Sequence, residues 1–278
     1  MKDTFGIIAS DEKLIEYATG AFLTGNDRSL LLPKYFLDTL FTNYSHINSS
    51  YNTLPDHAFI SIESGLNRDK QESFEIFEIE ATLFEDLCSL FNLYFKTNDK
   101  PDDKPYNKQR DAILRSALIS GFNLLESYLN GIAFDYYWKN QNTITDEIKE
   151  KLTEKKHDGT RKYLSLRDKM LFYPKTILSL QHPIFTESNC CEIDRILKIG
   201  KDYRDSIVHP SPFVYGLEET PEKVSKLYGL DGEILRTLTQ DVITFIRKID
   251  NVIYPDKSRI SWIADIGSDG LFHDDVFK

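Results

Sequence analysis

Cysteine is scarce in this chain: three among 278 residues, with Cys190 and Cys191 adjacent. That excludes a disulfide framework and points to reduced thiols in a cytoplasmic protein. No Cys-x2-Cys or His-x3-His pair has the spacing of a zinc site. Long apolar runs are missing too. None reaches the ~18 uncharged residues of a membrane span, and Phe5 to Ala9 is too short for a signal-peptide core. A soluble intracellular protein with no membrane partner is expected, so the sequons at Asn43 and Asn48 carry no weight. Positive charge is in deficit: 34 Lys and Arg face 44 Asp and Glu, a net −10. Non-specific affinity for phosphate comes mostly from Lys and Arg, which excludes a general nucleic-acid coat protein. An RNA-cleaving enzyme with one small basic site fits the balance.

Common enzyme signatures are also absent. The sequence has no G-x4-G-K-[ST], G-x-G-x-x-G, H-E-x-x-H or G-x-S-x-G, and no cofactor is implied. His273-Asp274-Asp275 contains metal-ligating residue types, but a charged cluster there reads first as solvated. No metal is expected.

What the sequence does have is helical periodicity. Residues 72–97 place Leu83, Leu87, Leu90 and Tyr94 on one face, with Phe77, Phe84 and Phe91 alongside and Cys88 in the apolar stripe. The run Glu72, Glu75, Glu78, Glu80, Glu85 and Asp86 marks a solvated acidic face that RNA would avoid. Upstream, 11–24 and 30–44 look helical, and His57 to Glu63 alternates weakly, as a short strand does. The proline-bearing stretch Asn98 to Tyr106 reads as the domain boundary. Beyond it a long helix, roughly 107–139, carries Leu114, Leu118, Gly121, Leu125, Tyr128, Leu129, Ile132 and Tyr136 in one stripe. Phe122, Ala133 and Phe134 widen that stripe, as in the central helix of a bundle. Shorter helices are expected at about 144–156, at 161–173 with a stop at Pro174, and at 188–208 with a stop at Pro210. A last one covers 222–254, with a break at Gly229-Leu-Asp-Gly232. The expectation is an all-α protein. It has an N-terminal mainly helical region over 1–104, a helical bundle over 105–255 and an irregular tail over 256–278.

One segment carries chemistry: Tyr203-Arg204-Asp205-Ser206-Ile207-Val208-His209-Pro210. Pro210 disfavours the α conformation at His209, so a helix ends there. At that end the helix dipole favours imidazolium. Asp205, four residues earlier, shares a face with His209 and can orient its ring and fix its tautomer. Arg204 can grip phosphate through two parallel hydrogen bonds. Together these suit phosphodiester cleavage without a metal. The bland alternative makes Arg204 and Asp205 surface charges and His209 a capping residue. An Arg followed directly by Asn, Asp or His, with a His after four to six residues, arises by chance roughly 0.1 times in such a chain.

On these residues, and on the long helix containing Arg115-Ser-Ala-Leu-Ile-Ser-Gly-Phe-Asn-Leu-Leu-Glu126-Ser-Tyr-Leu129, the chain resembles the HEPN superfamily of helical domains. Arg204-Asp205 to His209 fits its R-x4-6-H motif with four intervening residues, and Glu126 matches an internal glutamate of its first helix. The resemblance covers about 105–254. It implies an up-and-down helical bundle that dimerises, with two motifs forming one composite site. It also implies a metal-independent endoribonuclease that leaves a 2′,3′-cyclic phosphate and a 5′-hydroxyl. Members of this kind serve as toxins or in antiviral defence, under an antitoxin or within a defence complex. Carried over, His209 is the general acid–base, Arg204 stabilises phosphorane charge and Asp205 orients one of them.

Glu126 lies beside Phe122 and Leu129 and needs a cation or a hydroxyl, either Arg204 or His209 or a Lys or Tyr elsewhere. Tyr203, one turn from Ile199 and Ile207, reads first as core packing and second as a support of the motif. Lys155, Lys156, Arg161 and Lys162, around His157, form the local basic concentration and the candidate RNA-guiding surface, with a solvated helix end as the plainer reading. The rivals to an enzyme are a non-catalytic HEPN-like module binding a partner protein or nucleotide, and a purely structural bundle.

Overall fold

Ser73-Phe74-Glu75-Ile76 alternates polar and apolar residues, and here that short period wins over the helical one. The computed structural model describes residues 30–34, 59–63, 73–77, 79–97, 108–156, 158–209, 222–256 and 258–273. In it the strands β1 (Leu30–Pro33), β2 (Phe59–Glu63) and β3 (Ser73–Phe77) form an antiparallel sheet in the order β1-β2-β3. Leu30 pairs with Ile62, and Ile62 with Phe74. The strand expected near His57 to Glu63 is therefore present. The helix expected over 30–44 gives way to a strand at Leu30–Pro33, and the one expected from residue 72 starts only at Ile79. The helix read over 11–24 lies outside the described residues.

The fold class is all-α, and eight α-helices carry it among the described residues. They are α1 (Ile79–Thr97), α2 (Lys108–Asn140), α3 (Asp146–Thr153), α4 (Leu166–Ile177), α5 (Cys191–Arg195), α6 (Lys201–Val208), α7 (Glu222–Gly229) and α8 (Gly232–Ile253). A π-helical segment, Ile196–Gly200, joins α5 to α6. The apolar stripe of α2 buries Leu114, Leu118, Phe122, Leu125, Leu129 and Ile132, and α3, α4, α6 and α8 all pack on that helix. α8 presents Leu235, Leu238, Val242, Phe245 and Ile249 to the same core. The expected break is real: Asp231 caps the start of α8 by accepting from the Ile234 N–H at 2.9 Å. Pro174 does not stop α4. Its ring costs one N–H bond and a clash a turn back, but Met170, Tyr173 and Pro174 are all buried, and that packing carries the helix on to Ile177.

The chain divides into two compact units, Met1–Ile79 and Glu80–Lys278. The boundary therefore precedes α1, whereas the prolines had pointed to a boundary near residue 104. The reason is the face of α1: Phe84, Leu87, Cys88, Phe91 and Tyr94 are buried in the core of the second unit. Glu80 is buried as well, with the Ser127 hydroxyl donating to it at 3.4 Å, so the acidic run is not wholly a solvated face. The irregular tail also belongs to the core. The Phe272 ring meets Phe84 and Phe91 edge-on, and Ile260, Ile263 and Ala264 are buried. The Asn92 side chain donates to the Phe272 carbonyl at 2.7 Å and accepts from its N–H at 2.8 Å. No helix among the described residues is long and apolar enough to cross a membrane.

Two predictions follow from this packing. Asn92→Ala leaves both backbone groups of Phe272 unpaired and should cost about 1–3 kcal/mol, read from equilibrium urea unfolding. Glu192, at the start of α5, supplies the second. Burial works to raise its carboxyl, but bonds from Lys248 (2.7 Å) and Cys190 (3.1 Å) outweigh it and hold the group at about 2, against 4.5 normally. A carboxyl held low stabilises the fold fully above its unfolded value and loses that contribution as pH falls through the folded one. The urea midpoint should therefore drop more steeply between about pH 5 and pH 2.5 in the wild type than in Glu192→Gln.

Candidate functional site

The Arg204–His209 segment is positioned by the element before it. In the π-helical turn the Lys201 N–H reaches the carbonyl of Ile196, five residues back. One extra residue in a turn rotates the following helix by about 100° relative to an uninterrupted one. Gly200 closes that turn where a side chain has no room: a Cβ there would lie 2.9 Å from the Phe122 ring and 3.1 Å from Leu238. The segment can therefore lie directly on α2 and α8, and Phe122 then comes under the Arg204 guanidinium, 5.7 Å from its ring centre.

Arg204 donates to one oxygen of Asp205 from Nε (3.0 Å) and from a terminal nitrogen (2.6 Å). Lys201 donates to the other oxygen at 2.6 Å. Burial works to raise the Asp205 carboxyl, yet these two cations hold it below the ordinary carboxylate range. Both oxygens are engaged, so Asp205 fixes Arg204. The expected orientation of His209 by this carboxylate is not observed, because Lys201, also four residues from Asp205 and on the other side, has taken that place. His209 caps α6 with its N–H on the Asp205 carbonyl at 2.9 Å, and Lys223 of α7 donates to the His209 carbonyl at 3.1 Å. Its ring is exposed and bonds no side chain among the described residues.

The supporting residues fall elsewhere. Tyr203 packs against the core and reaches α7, with Lys226 5.4 Å above its ring and its hydroxyl 3.5 Å from the Gly229 carbonyl. Glu126 meets neither Arg204 nor His209. Its partner is Lys169 at 2.7 Å, a lysine only 2% exposed that also reaches Glu154 and Asn130, both at 3.1 Å. Beside them the Tyr173 hydroxyl is buried and makes no hydrogen bond among the described residues; burial and the carboxylates of Glu154 and Glu126 push its ionisation upward. Glu154 also accepts from the Leu164 N–H at 2.8 Å, which fastens the basic loop to the bundle. In that loop Lys155 pairs with Arg161 across a short antiparallel bridge, and Lys156, Arg161 and Lys162 are exposed. His157 lies outside the described residues. His273 bonds Asp269 at 3.1 Å, and Asp274 and Asp275 are likewise outside them.

A groove flanks the motif between α2 and Ile207. Its polar residues Arg115, Ser120 and Asn123 are absent from the candidates drawn from sequence, although they lie in the stretch that carries the resemblance. Their signal was legible: together with Ser116 they recur at steps of three and four, the spacing of one helix face.

Gly200→Ala tests the close approach. It should destabilise the fold by about 1–3 kcal/mol and, by displacing Phe122, loosen Arg204; thermal unfolding and the NMR signal of the Arg204 Nε–H report the two effects. Against known proteins, no family model, no curated protein and no solved structure matches this chain.

Proposed function

We propose that this chain is a metal-independent endoribonuclease of the HEPN type, acting as a cytoplasmic homodimer in a toxin or phage-defence role under a partner protein. One observation carries the reading. Arg204 is held by Asp205 and Phe122 within two turns of a helix end at which the His209 imidazole stands exposed, with no side-chain bond among the described residues. Cleavage starts when the 2′-oxygen of RNA attacks the adjacent phosphorus, with its proton passing to a base. It ends when the bond from phosphorus to the 5′-oxygen breaks, with a proton supplied to that oxygen by an acid. Two proton transfers on opposite sides of one phosphorus call for two imidazoles, and the segment holds one. A second copy related by a two-fold axis supplies the other. Arg204, already fixed, meets the negative charge of the phosphorane. Lys156, Arg161 and Lys162 on the anchored loop offer cations to the flanking RNA.

A second reading, a non-catalytic helical module that binds a partner protein or nucleotide, is favoured by one observation. Both oxygens of Asp205 are spent on Arg204 and Lys201, and no carboxylate orients His209 among the described residues.

Cleavage of mixed single-stranded RNAs in EDTA separates the two. The enzyme reading expects cleavage with cyclic-phosphate ends that falls at least about 100-fold in His209→Ala and Arg204→Ala. Equal cleavage by wild type and variants, or none by any of them, overturns it. Sedimentation should show a dimer; a monomer at the assay concentration overturns the composite site.

A further inference from the structure

The groove beside the motif is about 410 Å³, in the range of small-ligand sites. It runs along α2 past residues 112, 115, 119 and 123, about 16 Å of helix, and Ile207 of the Arg204–His209 segment forms its other wall. Ser120 is 8% exposed and lines the groove, yet its hydroxyl makes no hydrogen bond to any described residue. Ser116 differs: its hydroxyl bonds the Ala112 carbonyl at 2.8 Å. The Ser120 hydroxyl is not enclosed; it reaches the open groove, where a ligand oxygen would take the place of water. Arg115 is half-buried and pairs with no carboxylate among the described residues, in a chain with ten more acids than bases. Asn123 is exposed, and its amide bonds no described residue.

We infer that this groove is a nucleotide subsite that holds single-stranded RNA next to the phosphodiester to be cut. The inference rests on the ribonuclease reading for the identity of that phosphodiester. Each group matches a part of a nucleotide. The Arg115 guanidinium takes a phosphate through two parallel N–H bonds. Ile119 and Ile207 provide an apolar surface for the face of a base. Ser120 and Asn123 offer donor and acceptor to the edge of that base. Ile207 lies three residues from Arg204, one turn along the same face of α6, so a strand lying in the groove runs towards that guanidinium.

A 2′-fluoro oligouridylate, which lacks the attacking hydroxyl, separates binding from cleavage. It is titrated into the full chain at several salt concentrations, with circular dichroism and sedimentation in parallel. Arg115→Gln should weaken binding about tenfold and reduce the slope of log affinity against log salt by about 0.7, one single-strand phosphate. Arg115→Lys should restore the slope but only part of the affinity. Ser120→Ala should weaken binding about threefold, consistent with one lost hydrogen bond. Lys198→Gln, which removes a cation paired with Asp194 outside the groove, should leave affinity unchanged. Unaltered affinity in Arg115→Gln, or no binding by wild type, overturns the subsite. So does a shift from dimer to monomer in Arg115→Gln with affinity kept, which would make the groove a contact between copies. If the probe binds through Arg115 while unmodified RNA stays intact, the subsite stands and the ribonuclease reading falls.

Discussion

How closely the helical run from Cys191 to Val208 lies on α2 decides everything at the candidate site. Gly200 sets that distance, because the space a methyl group would fill is already taken by Phe122 and Leu238. The same close contact brings Phe122 under Arg204 and places Ile207 as one wall of the groove. The π-helical turn that ends at Gly200 then sets the rotation of α6. An interruption of helical hydrogen bonding has a cost that an uninterrupted helix avoids. Here it accompanies the placement of the Arg204 guanidinium over Phe122 and of Ile207 against the groove.

The rest of the core is held in register by buried charge. Lys169 joins α4 to Glu126 of α2 and to Glu154 at the end of α3. Arg195 of α5 grips Asp241 of α8, which is 3% exposed. Asp250, fully buried near the end of α8, accepts from the Arg259 N–H and from the Tyr128 hydroxyl, while burial pushes its carboxyl upward. Such pairs add little net stability, since desolvation consumes much of their attraction. Losing one partner is expensive, however, so a misplaced helix would leave a charge stranded. They select one arrangement from the many that apolar faces alone would accept.

Much of this was legible in the sequence, and the misses have physical causes. The stripe of α2, the break before α8 and the helix end at His209 follow from local rules of periodicity, capping and proline. Pro174 was misread because burial of its neighbours outweighs a local penalty. The strand at Ser73–Phe77 was misread because its glutamates and aromatics also fit a helical repeat, and only pairing with Phe59–Glu63 decides between the two. The proline-bearing stretch near residue 100 looked like a boundary between units but joins two helices of one unit. At the site, the presence of Arg204, Asp205 and His209 on one helix could be read from spacing. Which cation Asp205 would choose could not, because Lys201 and His209 lie at equal separations on either side. Glu126 needed a cation, as its apolar neighbours required. That the cation is Lys169, 43 residues away, is a property of the packed fold.

Phe272 fills the space between Phe84 and Phe91, and Asn92 clasps its backbone across a separation of 180 residues. The chain is made from its N-terminus at about 5–20 residues per second, so roughly 10–40 s pass between synthesis of α1 and synthesis of the residue that covers it. Throughout that interval two aromatic rings of α1 lack their native cover. Nascent chains must therefore be kept apart, or sheltered, until Phe272 arrives.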